Sequence, residues 1–211
     1  LNMLEFARGV NLEAFLQFST DEVFGPCEDG QRFKEWDPIV PSNPYAASKA
    51  SQEAIAISYW RTYGIPLIIT NTVNNFSEYQ QASKFPVIVQ KKVAKDEIVP
   101  IHGKEGEPGT RYYIHSRNAA DAILFILKNT IPHKHIPNAV DKPDRYNITS
   151  DDRLSNLELA QEIAEAMNKE LKYEYIDHHT RRPGHDRHYS LDGAKLKELG
   201  WKQPIGFKES L

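Results

Sequence analysis

The 211-residue sequence contains a single cysteine, Cys27, so no disulfide can form within the chain. It has no run of about 18 consecutive apolar residues, the length that a membrane-spanning helix needs. Its first ten residues show neither the basic start nor the cleavage site of a signal peptide. The net charge is −3, with acidic and basic residues interspersed, which argues against the basic face that bulk nucleic-acid binding requires. We therefore expect a cytoplasmic protein that has neither nucleic acid nor membrane as a partner.

The composition, 40% hydrophobic and 26% charged, predicts a globular chain of one or two compact domains. Apolar runs at 12–19 and 66–73 are typical of strands buried in a parallel sheet, and we expect the first to be a central strand. Residues 41–66 between them predict a helix that has Pro44 in its first turn and ends at Gly64. Strand, helix and strand together predict a βαβ unit.

Helical and strand patterns alternate along the rest of the chain. Either Ser42 or Asn43 can cap the helix of the βαβ unit, and the pair Ser155 and Glu158 forms a capping box. Helices are also predicted at 1–10, 83–95, 118–129, 155–168 and 191–200, and strands at 98–103, 145–149 and 172–177. This alternation is typical of the α/β class.

The first predicted strand runs directly into Ser19, Thr20, Asp21 and Glu22. Two adjacent carboxyl groups raise the pKa of one of them, so that one can act as an acid while the other acts as a base. The alternative is that these residues only end the strand and turn the chain, which is the commoner explanation for a bare Thr-Asp-Glu. The surrounding motifs decide between these interpretations.

Tyr45 and Lys49 are four residues apart and therefore lie on one face of the predicted helix. An ammonium group beside a phenol stabilises the phenolate, which can then take a proton from an alcohol. A lone Tyr-x-x-x-Lys arises easily by chance. This one, however, follows a strand that ends in a serine and a threonine, and the hydroxyl of Thr20 can bind the same alcohol.

The segments "STDEVFG", "NPYAASKAS", "TNTVNNF", "PIHGK" and "RRPGHDRHYSLD" together resemble the extended short-chain dehydrogenase/reductases that act on nucleotide sugars. Within that family the chain is most similar to the branch of dTDP-glucose 4,6-dehydratases. The resemblance implies the C-terminal part of a Rossmann-type doubly wound parallel sheet with a smaller α/β substrate-binding domain. We expect the NAD-binding part at 1–75 and 116–150, and the nucleotide-sugar-binding part at 76–115 and 151–211.

The resemblance also implies a role for each residue of the two motifs. Tyr45 would take the proton of the sugar 4-hydroxyl as hydride leaves carbon 4 for NAD, while Thr20 binds the same hydroxyl. Lys49 would lower the pKa of the phenol and hold the nicotinamide ribose. Glu22 would then remove the proton on carbon 5, and protonated Asp21 would give its proton to the departing 6-hydroxyl before hydride returns to carbon 6.

The nucleotide-diphosphate sugar is the partner that the resemblance implies. Arg182 and His185, in the segment "RRPGHDR", would face its diphosphate, although a solvated basic loop is the alternative. Further residues expected to bind the nucleotide sugar are Asn74, Lys84, Arg111 and Asn147. The spacing of His178, His179, His185 and His188 fits no usual ligand pattern, so no metal is predicted.

The sequence departs from the family pattern in three places. It contains no glycine-rich turn for the cofactor pyrophosphate, so we expect that roughly one hundred residues of preceding βα units are missing. Ser77 and Glu78 stand where the family commonly has glycine and proline, and residues 111–118 replace its usual Arg-Asp-Trp segment. The strand at 12–19 would then expose an apolar edge, which predicts self-association.

Three functions remain open from the sequence. The first is a nucleotide-sugar 4,6-dehydratase that acts on dTDP-glucose and, when complete, is a homodimer packed through the helix bearing Tyr45. The second is another NAD-dependent nucleotide-sugar enzyme, either a 4-epimerase or a UDP-sugar dehydratase. The third is a non-catalytic nucleotide-sugar-binding fragment without the cofactor loop.

Overall fold

The computed structural model describes residues 1–104, 107–176 and 188–211. It has an α/β fold with parallel strand pairs, which confirms the predicted fold class. In chain order the elements are α1 (Asn2–Arg8), β1 (Phe15–Thr20), α2 (Pro44–Tyr63), β2 (Leu67–Thr72), β3 (Asn74–Phe76), α3 (Phe85–Ala94), β4 (Val99–Lys104), β5 (Glu107–Pro108), β6 (Thr110–His115), α4 (Ser116–Asn129), β7 (Asp144–Ile148), β8 (Arg153–Ser155), α5 (Asn156–Ala166), β9 (Tyr173–Ile176) and α6 (Ala194–Glu198). Short 3₁₀ turns cover Asp21–Phe24 and Lys208–Ser210.

The main sheet has the strand order β1-β2-β7, and all of its strands are parallel. The central strand β2 is almost wholly buried, as its β-branched sequence predicts. Among the described residues β1 pairs with β2 alone and lies at the sheet edge, as the sequence predicts for this strand without its neighbour. Phe18 of β1 is consequently 51% exposed.

Helix α2 connects β1 to β2 and has clear end signals. The side chain of Asn43 accepts a hydrogen bond from the backbone N–H of Ala46 at 2.9 Å, so Asn43 rather than Ser42 is the N-cap. Pro44 occupies the first turn, and Gly64 ends the helix in the left-handed conformation at φ 68°. The predicted βαβ unit is thus present.

Two smaller sheets have the strand orders β3-β6-β8 and β5-β4-β9. The sequence did not predict β6, because its residues do not alternate between apolar and polar. The capping box at the start of α5 is confirmed, since Ser155 accepts from the N–H of Glu158 at 3.1 Å and donates its own N–H to the Glu158 carboxylate at 2.7 Å. Helix α6 is shorter than predicted and precedes Gly200, which has φ 106°.

Three clusters of buried apolar side chains form the core. One packs α4 and α6 against the main sheet, a second packs α3 and α5 against β4, and a third packs α1 and α2 against β2. The second cluster draws only on residues of 76–115 and 151–211, which supports our proposal of those ranges as the substrate-binding part. Leu191, Leu196 and Trp201 of the same range pack instead in the first cluster, against the main sheet. None of the helices in the described ranges combines the length and the apolar character that a membrane crossing requires.

A buried ion pair ties α2 to the main sheet. The carboxylate of Glu53 in α2 pairs with the guanidinium of Arg145 in β7, and both side chains are almost fully buried. Glu53 also accepts from Asn71 of β2 at 3.0 Å, while Arg145 donates to the backbone carbonyl of Glu35 at 2.9 Å and stacks on Trp36 at 4.3 Å. The middle of α2 is therefore held to two strands by one carboxylate.

We predict that Glu53→Ala lowers the free energy of unfolding by about 3–5 kcal/mol, because it leaves the charge of Arg145 buried without its ionic partner. Urea denaturation monitored by tryptophan fluorescence measures this loss. Glu97→Gln is the control, since it removes a half-exposed pair with Lys92 and should cost less than about 1 kcal/mol. Equal losses in the two variants would contradict the assigned role of Glu53.

Candidate active site

A cavity of about 570 Å³ opens where the carboxyl ends of β1 and β2 meet the N-terminus of α2. Ligand sites of parallel α/β sheets typically lie at this edge. Six of the predicted site residues line the cavity, namely Thr20, Glu22, Tyr45, Asn74, Lys84 and Arg111. The structure therefore brings together residues that are up to 91 positions apart in the chain, from 20 to 111.

Thr20 organises the acidic end of β1. Its hydroxyl accepts from the backbone N–H of Glu22 at 3.4 Å, which caps the short 3₁₀ turn. The same hydroxyl donates to the carboxyl of Asp21 at 3.0 Å and is hydrogen-bonded to the phenol of Tyr45. One hydroxyl thus connects the phenol to a carboxyl group.

The adjacent carboxyl groups occupy different environments. Asp21 is buried, whereas Glu22 is partly exposed at the cavity wall and accepts from the side-chain amide of Asn43 at 3.1 Å. Burial and, after it, the charge of Glu22 raise the pKa of Asp21 to about 7, although the hydrogen bond from Thr20 and the charge of Arg111 oppose this shift. Asp21 can therefore hold a proton near neutral pH.

The expected lowering of the pKa of Tyr45 by Lys49 is wrong for this structure. Burial, Glu22 and Asp21 raise the pKa of the phenol, and only the hydrogen bond to Thr20 opposes them. The ammonium of Lys49 instead donates to the backbone carbonyl of Phe18 at 2.6 Å and to Gln52 at 3.2 Å, outside the cavity lining. The two side chains share a helix face, but the nearby carboxylates dominate the electrostatics of the phenol.

Asn147 is the predicted substrate-binding residue that the structure places away from the cavity. Its side chain is fully buried in β7, where its amide donates to the backbone carbonyls of Phe33 at 2.9 Å and Asp192 at 3.0 Å. Asn147 therefore joins two loops to the main sheet, and the prediction of a substrate contact is not supported. Arg182 and His185 lie outside the described residues.

Several cavity residues were not recognised in the sequence. They are Ser19, Thr72, Val73, Asn75, Gln80, Phe85, Pro86, Ile88, Pro100, His102, Tyr113, Asn156 and Tyr189. Arg111 stacks on Tyr189 at 4.4 Å, and the amide of Asn156 donates to the backbone carbonyl of His102 at 3.3 Å. Many of them are chain neighbours of predicted site residues, as Ser19 is of Thr20 and Phe85 is of Lys84, whereas Asn156 and Tyr189 come from distant parts of the chain.

The two internal departures from the family pattern contact each other. Glu78 accepts from the imidazole Nε2 of His115 at 3.2 Å and also pairs with Arg117. Because Nδ1 of His115 accepts from the backbone N–H of Arg117 at 3.2 Å, Nε2 carries the ring proton and donates the hydrogen bond to Glu78. This contact fixes the start of the 77–84 loop, which presents Gln80 and Lys84 to the cavity.

Within the described parts of the chain, no group of three or more histidine, cysteine, aspartate or glutamate side chains is arranged to hold a metal ion. Of the four histidines considered in the sequence, only His188 lies in a described range, and its Nδ1 is 2.6 Å from the hydroxyl of Thr110. The cavity wall itself presents carboxyl, phenol, hydroxyl and cationic groups.

Comparisons with known proteins find similarity over nearly the whole chain. The model of the GDP-mannose 4,6 dehydratase family matches residues 1–211. A low-salt glycan biosynthesis protein of Haloferax volcanii is 35% identical over 211 residues, covering 99% of this chain and 63% of that protein. A dTDP-glucose 4,6-dehydratase of Streptomyces niveus is 32% identical over 210 residues, covering 99% of this chain and 58% of that protein.

Among solved structures, the UDP-glucose 4-epimerase of Thermus thermophilus in complex with NAD is similar with a TM-score of 0.85 at 25% identity. The match covers 99% of this chain and 65% of the epimerase. The chain thus spans about three fifths of the length of the curated relatives named above, 63% and 58% respectively. The similarity extends over the whole chain in both sequence and fold.

The raised pKa of Asp21 predicts how stability changes with pH. The folded state keeps a proton up to about pH 7, whereas an unfolded aspartate releases it near a pKa of about 3.9. The folded state therefore binds more protons in this window, and the free energy of unfolding falls as pH rises through it. Asp21→Asn should exceed the wild type by roughly 2–4 kcal/mol at pH 8 and show no such advantage at pH 4.

Urea denaturation at both pH values measures this difference. Asp151→Asn is the matched control, because the side chain of Asp151 is 76% exposed and its substitution should change stability little at either pH. If the stability gain of Asp21→Asn over the wild type is no larger at pH 8 than at pH 4, then Asp21 does not have the raised pKa assigned to it.

Proposed function

The chain belongs to the GDP-mannose 4,6 dehydratase family, and we propose that it acts as a nucleotide-sugar 4,6-dehydratase that converts dTDP-glucose to dTDP-4-keto-6-deoxyglucose. The observation that carries this proposal is that Asp21 and Tyr45 are hydrogen-bonded to the one hydroxyl of Thr20, at a cavity whose wall includes Glu22 and Tyr45. An elimination of water needs an acid and a base on the same sugar, and this site provides both. The dTDP-glucose 4,6-dehydratase among the relatives supports the choice of nucleotide.

NAD is the cofactor of the proposal, as in the similar epimerase structure. Tyr45 and Lys49 share a helix face beside the exposed edge strand β1, where a hydroxyl and an ammonium group suit a ribose. Ser19 supports a polar ligand in the cavity, because its buried hydroxyl has no hydrogen-bond partner among the described residues. When bound, NAD would accept hydride from the sugar and return it. We place this reaction in the cytoplasm, in keeping with the single cysteine.

Tyr45 and Thr20 would activate the sugar 4-hydroxyl. Since the pKa of Tyr45 is raised, the phenol needs an acceptor for its own proton as it takes one from the alcohol. The hydroxyl of Thr20 lies between the phenol and Asp21, so the proton can pass along these hydrogen bonds to the carboxylate form of Asp21. Asp21 would then be protonated, which is the form that the later step requires.

Glu22 and Asp21 would carry out the elimination. The 4-ketone acidifies the hydrogen on carbon 5, and the carboxylate of Glu22 takes that proton. Asp21 gives its proton to the 6-hydroxyl, the bond between carbon 6 and oxygen breaks, and water leaves as a double bond forms between carbons 5 and 6. A carboxyl group with a pKa of about 7 is suited to such proton donation at neutral pH.

The rest of the cavity suits a nucleotide diphosphate. Arg111 and Lys84 bring cationic side chains to its wall, and Asn74 adds an amide. Guanidinium and ammonium groups are the side chains that bind phosphate oxygens most strongly. The stacking of Arg111 on Tyr189 presents the guanidinium on a fixed support.

The test is to incubate the protein with NAD and dTDP-glucose and to identify the product by mass spectrometry. We predict a product that has lost one water. Asp21→Asn and Glu22→Gln should lower its rate of formation by about 10²–10⁴-fold, because each removes a proton-transfer group, while nucleotide affinity changes little.

Other outcomes favour the alternatives. A product of unchanged mass that is the 4-epimer would favour an epimerase, which is the activity of the similar solved structure. Binding of dTDP-glucose without any product would favour a non-catalytic nucleotide-sugar-binding protein. Wild-type turnover by the Asp21 and Glu22 variants would contradict the acid and base roles.

We further propose a homodimer packed through α2. Ile55 and Tyr63 of this helix are 40% and 47% exposed, and apolar groups on a long helix favour burial against a second copy. Light scattering across a concentration series should give twice the monomer mass, and Ile55→Arg should shift the equilibrium to the monomer. A wild-type monomer at every concentration would contradict this proposal.

A further inference from the structure

Asn43 uses both ends of its side-chain amide. The carbonyl oxygen accepts from the backbone N–H of Ala46 at 2.9 Å and caps α2, while the Nδ2 group donates to the carboxylate of Glu22 at 3.1 Å. The reverse orientation of the amide would place its oxygen against the carboxylate and its NH₂ against an N–H group, so only one orientation satisfies both contacts. Asn43 therefore connects the turn after β1 to the start of α2.

This connection joins two groups of the cavity. Glu22 lies in the 3₁₀ turn, and Tyr45 lies in the first turn of α2, two residues after Asn43. A glutamate side chain has several rotamers, and a charge-assisted hydrogen bond selects one of them. Burial raises the pKa of Tyr45, and the charge of Glu22 raises it further, so the carboxylate acts on the phenol.

We propose that Asn43 is a positioning residue for Glu22. Asn43 holds the Glu22 carboxylate against the N-terminus of α2 and so fixes the position of this carboxylate beside Tyr45. The chemical role of Glu22 in this inference rests on the proposed function. The contact between Asn43 and Glu22 does not rest on the proposed function, so the contact and the function can be tested separately.

Three substitutions separate capping from positioning. Serine and aspartate cap helices about as well as asparagine, so Asn43→Ser and Asn43→Asp keep the cap. The serine variant loses the donor to Glu22, and the aspartate variant places a second carboxylate opposite it. Asn43→Ala loses both contacts and should lower Tm by about 2–4 °C, whereas Asn43→Ser should remain within about 1 °C of the wild type.

The chemical readout is the exchange of the hydrogen on carbon 5 of dTDP-4-keto-6-deoxyglucose in D₂O, followed by proton NMR. The ketone is already present, so Glu22 only has to remove the proton and return a deuteron, without any redox step. We expect exchange to fall about 10- to 100-fold in Asn43→Ser and further in Asn43→Asp, because the carboxylate is no longer held in place or is repelled. Glu22→Gln is the control that removes the base itself.

The structural readout is the NMR signal of the Asn43 side-chain amide. Glu22→Ala removes the acceptor, and we expect this signal to move toward that of a solvated amide. Wild-type exchange rates in both cap-preserving variants would overturn the positioning role. Absence of exchange in the wild type would count against the proposed function. The amide signal would then test the contact between Asn43 and Glu22 by itself, and an unchanged signal in Glu22→Ala would overturn that contact.

Discussion

The hydroxyl of Thr20 is the group on which the geometry of the site depends. Thr20 is the last residue of a parallel strand. Its hydroxyl caps the turn that follows and is hydrogen-bonded to both Asp21 and Tyr45. Because β1 ends at this residue, the next two side chains separate, one into the protein and the other to the cavity wall. Burial raises the pKa of Asp21 to about 7, which lets this carboxyl group serve as the acid in the proposed chemistry.

Helix α2 keeps the phenol next to that hydroxyl, and two contacts hold the helix. The ion pair of Glu53 with Arg145 fixes its middle to the sheet, and Asn43 fixes its N-terminus to the turn that carries Glu22. The first contact is buried and central to stability, while the second lies at the cavity. Asp21 links stability to function. Its buried carboxyl group lowers the free energy of unfolding as pH rises from the ordinary pKa of an aspartate to about 7, but it remains available as an acid.

The sequence predicted what local spacing determines. The positions of Tyr45 and Lys49 on one helix face, the end of that helix at Gly64 and the capping box at Ser155 follow from helix periodicity and end signals. Long-range contacts determine the features that the sequence did not predict. The burial of Asn147, the raised pKa of Tyr45 and the pairing of Glu78 with His115 depend on elements far apart in the chain, and no local pattern encodes them. Family resemblance added Asn74, Lys84 and Arg111 to the predicted cavity residues, because it carries information on distant positions.

The proposed reaction requires that Asp21, Glu22 and Tyr45 act on one hexose ring. A crystal structure of the protein with NAD and a nucleotide sugar tests this most directly. We expect both carboxyl groups and the phenol each to lie within about 3.2 Å of an atom of the same hexose, or to be joined to it by one water. A hexose bound with only one of these groups in reach, or in a different region of the surface, would contradict it.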